Sequence, residues 1–137
     1  MMTKENASDF LEWLFDYFLY NEISFKKEIA ELYAMQENEK YIFSMLKVRK
    51  CAVCGENEAD LEHWDSVNSI GGYKFDDGLK TRFISLCRKH HQEKHNIEII
   101  QFKEKYNLEG IFLNEKQVEI LKKIYKNQFK GGTKYGR

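Results

Sequence analysis

The sequence predicts an α+β fold in which a helical N-terminal arm leads into a small metal-braced centre and a helical C-terminal extension follows. Three observations carry this. All three cysteines and all four histidines of the 137-residue chain fall in one window, as Cys51, Cys54, His63, Cys87, His90, His91 and His95. Apolar residues recur at helical spacing on both sides of that window. Proline is absent, against an average near ~5%, which suits helices joined by short polar turns.

The arm comes first. Phe10, Leu11, Leu14, Phe18 and Leu19 make a stripe at helical spacing, and Trp13, Phe15, Tyr17 and Tyr20 render the surface aromatic almost all round. Asn21 breaks the pattern. Ser24 is the expected N-cap of a second helix bearing Phe25, Ile29, Leu32 and Tyr33, and Asn38 that of a third bearing Tyr41, Ile42, Met45 and Leu46. Such faces predict core or a subunit interface, including a homodimer through the aromatic arm, and they also suit a protein partner.

In the centre, Cys51-Ala52-Val53-Cys54 is a C-x2-C pair followed by Gly55, where a tight turn aims backbone amides at thiolates. Cys87-Arg88-Lys89-His90 repeats the spacing with an imidazole as the last ligand. Two such knuckles predict a closed Cys3His site, and structural zinc prefers tetrahedral sulfur and nitrogen donors of this kind. Three cysteines cannot pair evenly into disulfides, and a redox C-x-x-C needs a βαβ context that is missing. A rival grouping of Cys51 and Cys54 with His91 and His95 would separate the pairs by 36 residues, where about a dozen is usual, and would orphan Cys87 and His90.

A second site follows from the remaining residues. If the chain turns helical at the second knuckle, His91 and His95 are i, i+4 neighbours on one face, and His90 lies about 100° round from His91. Leu61-Glu62-His63-Trp64-Asp65 reads as a short strand, on which Glu62 and His63 point to opposite faces. Glu62 can then complete a cation's ligand set with His91 and His95, while the His63 imidazole stays available as a base. Trp64, on Glu62's face, either shields the site or packs in the core. Arg88, Lys89 and Lys94 either hold phosphates or form a solvated helix face.

These residues carry a resemblance. Cys51-x2-Cys54, Glu62-His63 and Leu86-Cys87-Arg88-Lys89-His90-His91-Gln92-Glu93-Lys94-His95 resemble the HNH nuclease superfamily, specifically the small HNH nucleases of bacteriophages. The likeness runs through Phe102-Lys-Glu-Lys-Tyr-Asn-Leu-Glu-Gly110 and covers roughly residues 41 to 113. It implies a zinc-braced, treble-clef-like ββα-metal core. It further implies Glu62, His91 and His95 as ligands of a second divalent metal (Mg, Mn, Ni or Zn), His63 as general base, and DNA as substrate. The family's middle asparagine or histidine, which braces the loop and positions the base, has no match; this chain offers Thr81 or Arg82, with Asn68 in the intervening loop. The implied chemistry is metal-assisted phosphodiester hydrolysis. The alternative in a different class is a catalytically lapsed HNH-like zinc metalloprotein that binds and inhibits a host defence protein, in an antidefence role such as anti-CRISPR.

Beyond the centre, Ile99, Phe102 and Tyr106 continue an apolar face and Gly110 marks a break. Asn114 as N-cap, Gln117 at N3, and the Leu113–Val118 staple then define a helix start. Val118, Leu121, Ile124 and Tyr125 supply its buried stripe, and Gly131 and Gly132 are expected to end it ahead of a flexible tail. The implied division is a helical arm over 1–47, the HNH-like core over 48–113, and the helix and basic tail over 114–137. Net charge is zero but divided: residues 1 to 46 carry 4 Lys+Arg against 9 Asp+Glu, residues 47 to 137 carry 18 against 13, and within residues 116 to 137 there are 7 Lys+Arg against Glu119 alone. The acidic and basic parts therefore differ in task. No apolar run approaches the ~20 residues of a membrane span, which predicts a soluble protein of a bacterial host's cytoplasm. Abundant Lys, Asn, Ile, Phe and Tyr, all with A/T-rich codons, point to a low-GC genome such as that of a phage.

Overall fold

A computed structural model describes residues 3–24, 26–72, 76–126 and 128–129. The order is α1 (Lys4–Tyr20), α2 (Lys27–Gln36), α3 (Asn38–Val48), β1 (Asp60–His63), a 3-10 turn (Val67–Ile70), β2 (Phe83–Leu86), α4 (Arg88–Asn96), α5 (Ile99–Tyr106) and α6 (Glu115–Ile124). Among the described residues, six helices beside one two-stranded sheet make an α+β fold, as expected. None of the described helices is long and apolar enough to cross a membrane.

The sheet is antiparallel, with Asp60 opposite Leu86, Glu62 opposite Ile84 and His63 opposite Phe83. Phe83 also exchanges backbone hydrogen bonds with Ile111 at 2.8 and 2.9 Å, so β2 is paired on both edges. Its run Phe-Ile-Ser-Leu is buried throughout, the composition expected of a strand covered on both faces. Ser85 within it donates its hydroxyl to the Lys50 carbonyl at 2.7 Å, and Ala52 N–H donates to the Ser85 carbonyl at 2.8 Å. These bonds fasten the Cys51–Cys54 turn to β2, which runs directly into Cys87.

α3 packs against β2, and Tyr41 through Leu46 are buried without a break, the all-round burial of a core helix. Two phenols close its polar debts. Tyr41 donates to the Ala52 carbonyl and Tyr125 to the Leu46 carbonyl, both at 2.6 Å, and burial pushes both hydroxyls well above the usual tyrosine range.

The arm differs from the stripe read in the sequence. Phe15 and Leu19 are the buried residues of α1, whereas Phe10 and Leu11 are exposed. Ion pairing explains the rotation: Lys40 of α3 reaches Asp9 at 3.1 Å and Glu12 at 3.9 Å, and Lys47 reaches Asp16 at 2.8 Å, which holds Glu12 and Asp16 against α3. In α2, Tyr33 and Ala34 are buried while Ile29 and Leu32 face outward. Its cap is Lys26, not Ser24, with no side-chain capping bond; Phe25 lies outside the described residues. Glu37 caps α3, and Asn38 instead pairs its amide with the Glu109 backbone at 2.9 and 3.2 Å.

The C-terminal expectations hold better. Asn114 and Gln117 form the reciprocal capping box at 2.8 and 2.9 Å, with Leu113 and Val118 both buried. α6 ends at Ile124, before Gly131 and Gly132, which lie with the tail outside the described residues. Trp64 belongs to the core: a Cβ on Gly110 would stand 2.4 Å from the Trp64 Cβ. Glycine is required there by space alone.

Candidate active site and metal centres

The first cluster is built by two turns meeting. Gly55, at φ +78°, lets the chain after Cys54 reverse, and its N–H donates to the Cys51 carbonyl at 2.8 Å. The other turn is the start of α4, for which Cys87 is the N-cap. Cys51, Cys54, Cys87 and His90 converge, each offering one ligand atom within 4.8 Å of the others. Zinc–sulfur bonds of about 2.3 Å in a tetrahedron place ligand atoms about 3.8 Å apart. Here Cys54 Sγ and Cys87 Sγ are 3.8 Å apart, His90 Nδ1 is 3.6 Å from Cys51 Sγ, and it is 3.2 Å from Cys87 Sγ. The donor set and its spacing fit a zinc ion.

The electrostatics are those of thiols pressed together. Burial, with Cys51 adding to it, pushes Cys54 up to about 12 although the Glu56 amide bonds its sulfur. Burial opposes ionisation of Cys87 too, but amides of His90 and Lys89, with the neighbouring cysteines, hold it below the usual thiol value. Burial depresses His90, which keeps a neutral imidazole able to donate a lone pair.

The second cluster faces away from the first because His90 and His91 diverge round α4. Glu62, His91 and His95 converge within the same 4.8 Å limit. His91 Nδ1 contacts Glu62 Oε2, His95 Nε2 stands 3.8 Å from Glu62 Oε1, and the two imidazoles are 4.6 Å apart at their centroids. Burial, the His95 ring and Lys94 together depress His91. A carboxylate and two imidazoles on one side of a ββα unit make a three-ligand set of the kind that leaves positions open on a divalent cation. The rival grouping of Cys51 and Cys54 with His91 and His95 is not assembled.

His63 goes elsewhere. Its Nε2 lies 2.6 Å from Asp76 Oδ2, and Asp76 is 2% exposed, with Oδ1 accepting from Gly78 N–H at 3.1 Å. An ionised carboxylate only accepts, so a neutral imidazole bonded to it in this way carries its proton on Nε2. The carbonyl of His63 accepts from Lys94 Nζ at 3.0 Å. Lys94 is thus half-buried beneath Trp64, and burial lowers its pKa against the pull of Asp65, whereas Arg88 and Lys89 are exposed.

Over residues 3–128 the chain matches the model of a family described as "Putative HNHc nuclease". It belongs to that HNH nuclease family. No curated protein and no solved structure matches it significantly. Within this HNH chain, Asp76 hydrogen-bonds the His63 imidazole, a partner that sequence reasoning missed. Thr81 is buried with no partner for its hydroxyl among the described residues, and Arg82 forks onto Asp65 at 2.7 and 3.1 Å and reaches Glu109 at 3.0 Å, bracing the strand ends rather than the imidazole. Asn68 sits exposed in the 3-10 turn. The available signal was Asp76-Asp77-Gly78, a turn sequence whose first carboxylate is free to point inward.

Proposed function

We propose that this HNH-family chain is a metal-dependent endonuclease that hydrolyses DNA phosphodiester bonds. One observation carries the reading: Glu62, His91 and His95 converge on a common point, while the adjacent His63 is held by a buried carboxylate instead of joining them. A general base and a cation site on neighbouring residues are what phosphodiester hydrolysis requires.

In this mechanism Glu62, His91 and His95 hold a divalent cation, which when bound supplies Lewis-acid stabilisation of charge on the phosphoryl and leaving oxygens. Asp76 orients the His63 imidazole, which accepts a proton from the attacking water. General-base assistance of this kind is worth ~10²–10⁴-fold. Lys94 anchors the His63 backbone to α4, and with it the ring's starting point. Arg88 and Lys89, exposed on the first turn of α4, hold flanking phosphates. Cys51, Cys54, Cys87 and His90 hold zinc with no open position, so that cluster serves folding. The composition supports a phage origin.

The test is cleavage of plasmid and single-stranded DNA with Mg, Mn, Ni or Zn supplied in turn. Wild type should cut with at least one, and His63→Ala should lose ~10²–10⁴ in rate while its metal content and fold persist. His91→Ala should lose activity together with one bound cation. Cleavage that is absent with every metal, or unchanged in His63→Ala, would overturn the assignment.

A further inference from the structure

We infer that the outward face of α1 is the contact surface of a two-fold homodimer of this chain. The inference is independent of the nuclease reading. Phe10, Trp13, Tyr17 and Tyr20 repeat at intervals of three, four and three residues, the spacing of the a and d positions along a helix–helix seam. They are 49%, 59%, 47% and 60% exposed. With Asn6 and Leu14 between them they occupy an arc of about 120° that holds no Asp, Glu, Lys or Arg.

That arc is charge-free because the charges of α1 are used on its other side. Glu12 and Asp16 turn toward α3 and are matched by Lys40 and Lys47, and Asp9, itself largely exposed at the edge of the arc, is paired with Lys40. The N-terminal part is acidic, so a partner meeting it elsewhere would need basic groups. The arc needs none, and it can meet its own copy without like-charge repulsion, the condition for a surface that pairs with itself. An absence of basic residues also removes phosphate contact as a role for this face.

Neighbouring rings already stack on one another. Phe10 stacks on Trp13 at 6.2 Å and 23°, and Trp13 on Tyr17 at 5.6 Å and 25°, so docking freezes little further side-chain motion. Aromatic side chains bury roughly 150–250 Å² each, so four at these exposures present roughly 400 Å², and roughly 800 Å² for two copies. With only Asn6 and Leu14 lying between the rings, the seam stays below the ~1,200 Å² at which stable interfaces begin. That area matches a dissociable dimer.

Sedimentation equilibrium across the micromolar range tests this. The mass should rise toward twice 16.4 kDa with concentration, and the combined change Trp13→Glu with Tyr17→Glu should weaken association more than ~100-fold, leaving 16.4 kDa throughout. Circular dichroism should show that variant folded, since both side chains are exposed. Wild-type tryptophan emission gives a readout that needs no variant: Trp64 is buried, so concentration should shift only the Trp13 component to the blue. Raising salt from ~0.1 M to ~1 M should leave the association intact, because an uncharged seam has nothing to screen. A wild type that stays at 16.4 kDa with unshifted emission, including one that instead binds a different protein, overturns the inference. So does a dimer that survives the double substitution or dissociates in salt.

Discussion

Replacing Asp76 tests the alignment of the proposed base. The carboxylate is buried, accepts from His63 Nε2 at 2.6 Å and from Gly78 N–H at 3.1 Å, and alanine removes both bonds while leaving both donors in place. A hydrogen bond to a charged acceptor contributes about 1.5–3 kcal/mol. If that energy holds the imidazole in its reactive tautomer and angle, Asp76→Ala should lower kcat by roughly 10- to 100-fold, since about 1.4 kcal/mol is a factor of ten. KM should change little, because the group lost acts on a base and not on bound DNA. Asp76→Asn retains an acceptor oxygen and should recover part of kcat, which a purely structural role for Asp76 would not produce. Single-turnover cleavage of a labelled duplex at saturating and subsaturating DNA separates the two constants, with thermal melts run on each variant. A folded Asp76→Ala whose kcat stays within about twofold of wild type would refute the reasoning.

Three further outcomes are expected. Gly110→Ala places a methyl 2.4 Å from the Trp64 Cβ and should cost about 1–3 kcal/mol of stability, read as a lower urea midpoint; an unchanged midpoint would show that Trp64 can move aside. Chelation that strips the Cys51, Cys54, Cys87 and His90 cluster should unfold the chain around β2 and α4, and Cys87→Ser should fail to hold a full equivalent of zinc; full zinc in a soluble Cys87→Ser protein would exclude that ligand set. The Arg82 guanidinium holds Asp65 below the usual carboxylate value. A depressed folded pKa adds stability that is complete above the unfolded value near ~3.9 and fades as pH falls through the folded one. Asp65→Asn should therefore cost up to about 1 kcal/mol near neutrality and nothing in strong acid. A stability gap that stays constant on acidification would contradict this.

The two side-chain clusters were legible because metal chemistry restricts residue type and spacing together. C-x2-C, C-x2-H and H-x3-H each fix a local geometry, and the remaining question was only which pairs meet. The capping box at Asn114 was legible for the same reason, being complete within four residues. Orientation of the arm was not. Ten apolar side chains on one helix leave its buried face underdetermined, and the choice fell to Lys40 and Lys47, more than twenty residues away in sequence. Asp76 was equally hidden: its role depends on a loop path that brings it back to β1, and no spacing rule ties an orienting carboxylate to its histidine.

The adjacency of His90 and His91 has a consequence for how this protein can change. One helix serves two clusters from consecutive positions, so its rotational phase is shared between them. Adding or deleting a single residue between Cys87 and His90 would turn the rest of α4 by about 100°. A histidine would still be offered to the cysteines after a deletion, since His91 would arrive where His90 had been, and the protein could keep its fold. The second cluster would then be left with neither ring in place. A one-residue deletion in this stretch is thus a route by which a lineage could shed the Glu62 cluster while retaining the Cys51 one, whereas an insertion would take the imidazole from the cysteines.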